Sequence, residues 1–492
     1  MSLLSERSRM RKIDESLRLW ERYGEFILMA TAYQDQVLQE ARGCTIVDVD
    51  GNSLIDLEAG QICSILGHNH PKLIRRIIEQ TQTILHHGTA FLSRPIFEAA
   101  ARMAKITPGN LKKSIFLSTG AEANECALRI AKTYTEKRGI VGFDRGYSGL
   151  SLATMNAGMN SQDTSLSVPG TLKMLTPECL RCPVGSRFPE CDFLCLQVSE
   201  RFLNAHCRGE IAAFIVEPIL SAGGVVLPPP GYFQALHQLT RRIGALLISD
   251  EAQTGMGRTG RWFGIEHDGV VPDILVFSKG VGGGFPASGV IVTDEIAEAI
   301  LAGFSNFSSH QSDPVAAAGV AAVIDIIEEE GLIARAEQSG NRLVQGLRAL
   351  ADNYQLLGNI RGRGLMIGAD ANAIPARGWT REETGRTFEH LCREAGVHLK
   401  SINDGAVFRI LPPLTISEEE IDTVLAIFEK VTRRILDGRA GALRIGSGNP
   451  FTKRCEEARA GTLTFGGALR KVWDTSPAVW YKRFRRALGR GR

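Results

Sequence analysis

The sequence predicts an α/β fold built on a mostly parallel sheet, followed by a smaller α/β unit. Short, continuous apolar runs alternate with helical stretches between about residues 113 and 330. Runs of this kind are buried on both faces, as parallel strands covered by helices are. After a helix at about 314–329, residues 330–436 repeat the alternation on a smaller scale. We therefore expect a large unit and a small unit.

The chain is expected to begin with a helical arm and a hairpin. Residues 1–40 alternate charged and apolar residues at helical spacing. The next segment, CTIVDVDGNSLIDLEAG, places aliphatic residues on both sides of Asp50-Gly51-Asn52, which is typical of a β-hairpin. Helical spacing returns from about residue 72 to about residue 106.

Apolar runs bounded by Gly, Pro or Asp predict the strands of the large unit. In chain order they are SIFLS (114–118), GIVGF (139–143), AAFIVEP (212–218), ALLISDE (245–251), ILVFS (274–278) and GVIVT (289–293). In the small unit, IRGRGLMIGAD and VFRILPP predict strands. The segment SEEEIDTVLAIFEKVTRRIL predicts a closing helix with an acidic first turn.

These elements divide the chain into four expected parts. They are an amino-terminal arm with part of the small domain (1–71), a large domain (72–329), a carboxyl-terminal small domain (330–437) and a basic extension (438–492). Residues 470–492 hold eight Lys or Arg against one Asp. Two interpretations of this extension stay open, a loosely docked tail and a segment that contacts anionic surfaces.

The composition is that of an ordinary globular protein, with 44% hydrophobic and 23% charged residues. A formal net charge of +3 is too small to indicate a nucleic-acid or membrane partner. No apolar stretch reaches the roughly 18–20 residues of a membrane span. The first residues lack the apolar core of a secretory signal. We therefore expect a cytoplasmic protein without a membrane span.

Ten cysteines in a chain of this length do not indicate a disulfide scaffold. Cys63, Cys126 and Cys392 lie in apolar patterns and are expected to be reduced core residues. A second group has the spacing C-x2-C-x8-C-x3-C and consists of Cys179, Cys182, Cys191 and Cys195. This spacing allows a metal site, and a partly exposed loop with free thiols is the alternative.

Ligands of parallel α/β sheets bind at the carboxyl ends of the strands. The first such end, in SIFLSTGAEANECALRIA, is a strand followed by a turn and a helix. Thr119 is placed to cap the helix, and Gly120 allows a ligand to approach the backbone. The free N–H groups of the helix then face an anion such as a phosphate. A plain helix cap would have a similar sequence, so both interpretations stay open.

The second strand end carries Asp250 and Glu251, in ALLISDEAQTGMGRTG. A carboxylate directly after a buried strand needs a partner or a task, and one task is to bond a protonated ring nitrogen. The segment GMGRTG (255–260) matches G-x-G-x-x-G. Its glycines do not follow the strand directly and no helical pattern comes after them, which argues against a nicotinamide site.

The third strand end carries Lys279, followed by glycines 282–284. A partly desolvated lysine has a lowered pKa and becomes a nucleophile toward carbonyl groups. It is not a P-loop lysine, because the glycines follow it. A phosphate seat, a carboxylate and an amine at one edge of a sheet are what pyridoxal 5′-phosphate (PLP) requires. The sequence therefore predicts a PLP site.

The segment SDEAQTGMGRTGRWFGIEHDGVVPDILVFSKGVGGG resembles the signature of the class III, or subgroup II, aminotransferases of PLP fold type I. The resemblance covers about residues 20–436. The segments AGQICSILGHNHP, LSTGAEANE, VEPILSAGG, HQSDP and VFRILPPLTIS are similar to those of the 2,2-dialkylglycine decarboxylase group. The resemblance implies a homodimer whose subunits share their active sites.

The resemblance also implies how the cofactor is held. Lys279 is expected to form the Schiff base with PLP and then to act as general base and acid. Asp250 is expected to pair with the pyridinium nitrogen. The remaining implied contacts are Thr119, Gly120 and Ala121 at the phosphate, Gln253 at the ring hydroxyl, Tyr147 on the ring face and Ser309 from the other subunit.

The substrates implied are an amino acid and a 2-oxo acid. Arg409 is expected to pair with a substrate carboxylate, although a salt bridge that holds the small domain is the alternative. Glu217 is expected to gate Arg409. Ser148 stands where the family usually has a histidine between an aromatic residue and a glycine, so it is expected near the substrate side chain.

Gln61 decides between two reactions. The decarboxylase group has glutamine there, whereas ordinary members tend to have an apolar residue. An amide at this position would hold a carboxylate perpendicular to the cofactor ring, so that CO2 leaves in place of a proton. On this basis we favour decarboxylation-dependent transamination, with ordinary transamination of an α- or ω-amino acid as the alternative. A turn in which Gln61 bonds only backbone would support the alternative.

A metal site is the last implication of the resemblance. Thr89, Ser309 and Asp313 match positions at alkali-metal sites near the dimer interface of the decarboxylase. Hard oxygen ligands suit such ions. A bound alkali metal ion is therefore a further expectation.

Overall fold

The amino-terminal strands form the predicted hairpin in the structure, a computed structural model that describes residues 14–28, 33–158, 168–207 and 209–443. This part contains α1 (Asp14–Tyr23), β1 (Leu38–Arg42), β2 (Thr45–Asp48) and β3 (Ser53–Asp56). β2 and β3 pair antiparallel, with Val47 opposite Ser53. Asp48 closes the turn by accepting hydrogen bonds from the backbone and side chain of Asn52. β1 begins inside the predicted helical arm, and in the described part of that arm α1 ends at Tyr23.

A seven-stranded sheet forms the centre of the large unit. Its strands are β4 (Leu111–Leu117), β5 (Gly139–Phe143), β6 (Thr171–Met174), β7 (Ile211–Val216), β8 (Leu246–Asp250), β9 (Ile274–Phe277) and β10 (Ser288–Thr293). Their order is β4-β10-β9-β8-β7-β5-β6. β10 is antiparallel to β4 and β9, and the other pairs are parallel. The prediction of a mostly parallel sheet is confirmed. The sequence analysis did not predict β6, because the sequence of this strand is partly polar.

Helices cover both faces of this sheet, as continuous apolar strands require. They are α2 (Pro71–Thr83), α3 (Arg94–Ile106), α4 (Gly120–Thr135), α5 (Leu152–Ala157), α6 (Leu194–Cys207), α7 (Tyr232–Ile243), α8 (Asp294–Ile300) and α9 (Pro314–Glu329). The helical spacing at 72–106 belongs to two helices, because Pro95 fits the first turn of a new helix and not the interior of a long one. α9 packs on α2 and α3, and most of its Ala, Val and Ile residues are buried.

The small unit contains a second sheet with its own helices, and one of its strands pairs with the amino-terminal strands. Its elements are α10 (Leu332–Tyr354), β11 (Leu357–Arg363), β12 (Met366–Ala371), α11 (Arg381–Glu394), β13 (Val397–His398), β14 (Lys400–Ile402), β15 (Val407–Ile410) and α12 (Glu418–Leu436). One sheet has the order β11-β12-β15-β14, and β13 pairs parallel with β3. Ser417 and Glu420 form a capping box at the start of α12, where the sequence predicted an acidic first turn.

The expected basic extension and the expected lack of a membrane span can be compared with the structure only in part. The basic segment 470–492 lies outside the described residues, as does most of the predicted extension 438–492. Within the described ranges, no helix is long and apolar enough to cross a membrane.

Candidate active site

Strand direction brings the predicted site residues to one edge of the central sheet. In the sheet, β5 pairs with β7, β7 with β8 and β8 with β9, and each of these pairs is parallel. β4 has the same direction, because β10 is antiparallel both to β4 and to β9. The carboxyl ends of all five strands therefore point the same way. The residues at or shortly after these ends are Thr119, Tyr147, Glu217, Asp250 and Lys279.

Lys279 follows β9 in a strained backbone conformation. Its φ is +51°, in the left-handed region that side chains other than glycine adopt at a cost of about 1–3 kcal/mol. Burial lowers the pKa of the amine, while the charges of Asp250 and Glu217 oppose that shift. A larger fraction of uncharged amine is what a nucleophilic lysine needs.

Asp250 is buried at the end of β8 and is held at both oxygens. The Asn124 amide donates to Oδ2 at 2.8 Å, and the Ala252 N–H donates to Oδ1 at 3.1 Å. Burial raises the pKa of Asp250, and these two hydrogen bonds lower it. Asn124 was not predicted, although one signal was present. It is a polar residue on the face of α4 whose other members, such as Ala123 and Ala127, are buried and apolar.

Glu251, the next residue, has a different environment. Its oxygens accept hydrogen bonds from the Thr254 hydroxyl and from the N–H groups of Gly264 and Ile265, the last two at 2.8 and 2.9 Å. Burial raises the pKa of Glu251 to about 7. The carboxylate thus ties the loop after β8 to a later segment of its own chain. Of the two acidic residues in the strand end, Asp250 is the one available to a ligand.

The start of α4 has the geometry of an anion seat. The Thr119 hydroxyl caps the helix by accepting the Glu122 N–H at 3.3 Å. The carbonyl of Thr119 accepts the Ser288 hydroxyl at 2.7 Å, which fixes the turn against β10. The N–H groups of Gly120 and Ala121 belong to the first turn, which has no intrahelical acceptors for them. A Cβ at Gly120 would lie 3.2 Å from the Ser278 hydroxyl, so only glycine fits easily.

The loop after β5 packs on this helix and is anchored by Glu217. The Tyr147 N–H donates to Glu217 Oε1 at 2.7 Å, and the Ser148 carbonyl accepts the Asn124 amide at 2.8 Å. Gly149 has φ +128°, and a Cβ there would lie 2.7 Å from that of Ala121. Burial and the charge of Asp250 together raise the pKa of Glu217 to about 8.

Arg409, on β15, contacts a carboxylate that the sequence did not single out. Its Nη2 donates to Glu58 Oε2 at 2.9 Å, and both side chains are largely buried. Burial raises the pKa of Glu58 to about 7 even though the charge of Arg409 opposes that shift. We expected Glu217 to gate Arg409. Here Glu217 binds the Tyr147 N–H and Glu58 holds the guanidinium, so the gating of Arg409 by Glu217 stays a prediction.

Gln61 lies in an unusual turn that follows Glu58. Four successive residues, 59–62, have φ between +48° and +74°. The Gln61 side chain is exposed in the single chain. Burial raises the pKa of the Cys63 thiol, and the charge of Lys279 lowers it, so the thiol lies near the lysine. Cys63 is only half-buried and therefore is not the core residue we expected, whereas Cys126 and Cys392 are buried.

Of the three expected alkali-metal ligands, Asp313 has two imidazole neighbours. His86 Nδ1 lies 3.0 Å from one Asp313 oxygen, and His310 Nδ1 lies 2.5 Å from the other. Thr89 is half-buried and Ser309 is exposed in the single chain. The alkali-metal site therefore stays a prediction.

Several buried polar atoms of the site have no hydrogen-bond partner among the described residues. They are Gln253 Oε1, Glu217 Oε2 and Asn124 Oδ1. An unpaired buried polar atom costs about 1–3 kcal/mol, which a bound polar ligand recovers. These atoms stand beside an amine, a carboxylate and a helix start, so the residues present fit PLP. This arrangement defines a PLP-dependent enzyme.

The chain belongs to the class III aminotransferase family, since residues 28–432 match the family described as Aminotransferase class-III. It is similar to an uncharacterized aminotransferase of Schizosaccharomyces pombe, with 36% identity over 406 residues, 81% of this chain and 90% of that protein. It is also similar to a leucine/methionine racemase of Thermococcus litoralis, with 32% identity over 439 residues, 86% of this chain and 96% of that protein.

Among solved structures it is similar to an (S)-enantioselective omega-transaminase from Thermomicrobium roseum. The TM-score is 0.79 at 30% identity, over 86% of this chain and 99% of that one. The protein is therefore an aminotransferase of PLP fold type I and depends on PLP.

Proposed function

We propose that this protein transfers the amino group of an amino acid to a 2-oxo acid by ordinary transamination, in which the Cα–H bond breaks. The observation that carries the proposal is the set of groups around Lys279. A lysine with a lowered pKa stands at the same sheet edge as Asp250, within the electrostatic influence of Arg409. The set therefore contains a proton acceptor, Lys279, and a cation that can bind a substrate carboxylate, Arg409.

PLP, when bound, supplies an electron sink for the bond that breaks at Cα. Lys279 is the group of this chain that takes the proton from Cα and returns it, because its amine is uncharged more often than that of a solvated lysine. Asp250 presents its carboxyl group at the end of β8, and Asn124 and the Ala252 N–H fix its orientation. Gln253 offers the same ligand a buried amide oxygen that no described residue bonds.

Arg409 orients the amino acid. Its planar guanidinium binds a carboxylate through parallel hydrogen bonds, which fixes both the position and the angle of the substrate. Its Nε is buried and has no hydrogen-bond partner within the described ranges, and its Nη2 donates to Glu58. We infer that a substrate carboxylate takes these donors and that the ionic contact with Glu58 changes when it does.

Decarboxylation-dependent transamination is the second candidate, and Gln61 is the observation that favours it. The left-handed turn holds Gln61 two residues from Cys63, whose thiol is near Lys279. From there, the Gln61 amide could bind a substrate carboxylate held in a second position beside Cα. The 2-oxo acid acceptor would be the same in both reactions.

One experiment separates the two candidates. The enzyme is mixed in single-turnover amounts with L-alanine, with 5-aminovalerate or with 2-aminoisobutyrate, and loss of the yellow lysine-bound cofactor, oxo product and CO2 are measured. Ordinary transamination gives oxo product from a substrate with a Cα hydrogen and no CO2. CO2 from 2-aminoisobutyrate would establish the second candidate, and Gln61→Leu should then abolish it while Lys279→Ala abolishes every reaction. No colour change with any donor would overturn both.

We also propose that two copies of the chain form the enzyme. Several large apolar side chains near the expected interface are exposed in the single chain: Leu85 (63%), Phe91 (68%), Leu92 (60%), Phe97 (62%) and Phe307 (84%). Exposed apolar groups at this density mark an interaction surface. Phe307 lies two residues from Ser309, the residue expected to reach the other subunit's cofactor.

A further inference from the structure

Two buried acidic residues outside the site described above, Glu178 and Asp370, are each held by arginines. Glu178 lies in the large unit between β6 and α6, and Asp370 lies on β12 of the small unit. Only 6% and 1% of their side-chain surfaces are exposed. Burying a carboxylate is costly unless charged partners surround it. The partners of these two residues come from both units.

Arginines join the large unit to the small unit around these carboxylates. Arg181 Nη2 lies 2.6 Å from Glu178 Oε1, and Arg181 Nη1 donates to Asp370 Oδ2 at 3.2 Å. Arg361, on β11, places Nη1 2.8 Å from Asp370 Oδ1. Arg381, at the start of α11, places Nη2 3.2 Å from Asp370 Oδ2. Arg181 therefore connects two carboxylates that belong to different units.

Arg145 extends this network to the loop that bears Tyr147. Its guanidinium pairs with Glu178, and it precedes Tyr147 by two residues. The Thr176 hydroxyl accepts the backbone N–H of Arg145 at 3.2 Å. The position of Tyr147 therefore depends on a carboxylate that is also tied to the small unit. We call the whole network the ionic seam, and it consists of Arg145, Glu178, Arg181, Arg361, Asp370 and Arg381.

Two arginines of the ionic seam also hold the loop that follows β7, residues 219–226. From the large unit, Arg145 Nη2 donates to the carbonyl of the residue before Gly224. From the small unit, Arg361 donates to the Gly224 carbonyl at 2.5 Å and to the Val225 carbonyl at 3.0 Å. One arginine from each unit therefore fixes this loop.

The same loop supports the strand that carries Arg409. Val225 is fully buried and has φ +52°. A Cβ at Gly368 would lie 2.7 Å from the Cβ of Val225, so only glycine lets β12 approach the loop this closely. Gly368 is the residue of β12 that pairs with Arg409 on β15. Val225 also belongs to an apolar cluster with Ile62, the neighbour of Gln61. A shift of the loop or of β12 therefore moves groups that we expect to contact a substrate.

We propose that Glu178 and Asp370 are positioning residues, which hold Arg409 at a set distance from the loop bearing Tyr147 and thereby determine how well a substrate carboxylate binds. The inference rests on the proposed function, in which Arg409 binds that carboxylate. Without the two acidic residues, the arginines of the ionic seam repel one another, since like charges interact strongly where solvent is excluded. A displacement of about 1 Å caused far from the reacting atoms can lower a rate about 10²-fold.

Lys279 and Asp250 are held by other parts of the fold. They lie at the ends of β9 and β8 inside the seven-stranded sheet, and Asp250 is bonded by Asn124 and Ala252. Loss of the ionic seam should therefore weaken the recognition of a carboxylate and leave the reactivity of the lysine-bound cofactor unchanged. A network with a purely structural role would lower both together.

Two reagents that capture the lysine-bound cofactor separate these outcomes. Aminooxyacetate carries a carboxylate, O-methylhydroxylamine lacks one, and both remove the yellow colour of the holoenzyme. We expect Glu178→Gln and Asp370→Asn to slow the reaction with aminooxyacetate about tenfold and the reaction with O-methylhydroxylamine by less than about twofold. The KM for the amino acid donor should rise about tenfold, with a smaller change in kcat. Equal slowing with both reagents, or slowing with neither, would overturn the proposal.

Arg181→Gln is a milder variant, because 37% of this side chain is exposed and both carboxylates keep other arginine partners. It should show the same selective slowing, and it decides the question if either buried variant fails to fold. Arg181→Lys should recover part of the lost rate, because the charge returns without the planar fork. Asp422→Asn, at a carboxylate that pairs with Arg342 within the small unit, is the matched control and should slow neither reagent.

Substitution of Arg409 separates this inference from the proposed function. Arg409→Gln should abolish the preference for aminooxyacetate, and Glu178→Gln should then add no selective slowing, because it acts through Arg409. If Arg409→Gln keeps the preference, the role that the proposed function gives to Arg409 is wrong and the inference falls with it. If Arg409→Gln loses the preference while Glu178→Gln and Asp370→Asn keep it, the role of Arg409 stands and the ionic seam does not position it.

Discussion

Arg409 donates from Nη2 to Glu58 Oε2 at 2.9 Å, so the proposed substrate-binding cation is engaged by a carboxylate of its own chain. Both side chains are largely buried, with 14% and 5% of their surfaces exposed. A substrate carboxylate therefore competes with Glu58 for the guanidinium. The affinity for amino acids depends on this competition as well as on Arg409 itself.

Replacing Glu58 with glutamine should strengthen the binding of carboxylate substrates. The amide still accepts a hydrogen bond from Arg409 but carries no charge, so the competing ion pair is lost. We expect the KM for an amino acid to fall by about tenfold, equivalent to about 1.4 kcal/mol, with a smaller change in kcat. Arg409→Lys should act in the opposite direction, because lysine lacks the planar fork. An unchanged KM in E58Q would show that Glu58 does not compete with the substrate.

Substitutions at Asp250 and at Glu251 should have different effects, the first on the reaction of the cofactor and the second on the stability of the fold. Asp250→Asn removes the carboxylate that we propose faces the cofactor, and we expect kcat to fall about 10²-fold or more, as when a single electrostatic contact to a reacting group is lost. Glu251→Gln alters hydrogen bonds to Thr254, Gly264 and Ile265 instead. It should lower Tm and leave the visible spectrum of the bound cofactor unchanged. Equal effects of both substitutions on the spectrum would contradict this division.

Much of the fold could be predicted from the sequence because apolar patterns report burial. The six runs became β4, β5, β7, β8, β9 and β10, and the segment at 314–329 became α9. The pattern carries no information on strand direction, and therefore the antiparallel course of β10 was not foreseen. β6 was missed for a related reason, since most of its residues are only partly buried.

The positions of candidate site residues were predictable where a polar residue lies at or just after the end of a buried strand, as with Asp250 and Lys279. Partners from distant parts of the chain were not predictable. Asn124 reaches Asp250 from 126 positions away, and Arg409 is 351 positions from Glu58. Such pairs depend on how the units pack. Glu58 did leave one signal, since it is an acidic residue two positions after the end of β3.

Buried glutamates should make the apo protein less stable as the pH rises. Burial raises the pKa of Glu217 to about 8 and that of Glu251 to about 7. A carboxyl with a raised folded pKa binds its proton more tightly in the folded state, so its contribution to the free energy of unfolding is greatest below about pH 4.5, its unfolded value. That contribution declines as the pH rises from about 4.5 to about 8.

Urea titrations of the apo protein at several pH values measure this effect. Glu217→Gln should reduce the decline in unfolding free energy over that window, because the amide does not titrate. Asp422→Asn, at an exposed carboxylate on α12, is the control and should leave the slope over that window unchanged, because the pKa of Asp422 is lowered from 3.8. A wild-type slope in E217Q would mean that Glu217 does not retain its proton when buried.

A charge on the exposed apolar surface should separate the proposed dimer. Phe91, with 68% of its surface exposed in the single chain, lies between α2 and α3. We expect Phe91→Asp to give a monomer in light scattering, because an interface does not bury an unpaired carboxylate without a large cost. Since the site is expected to use Ser309 of the second subunit, this variant should also lose PLP on dialysis. Phe202→Asp, at an apolar residue of α6 that is 46% exposed, is the matched control. If wild-type protein is already monomeric and retains PLP, the shared-site proposal is wrong and each chain holds its cofactor alone.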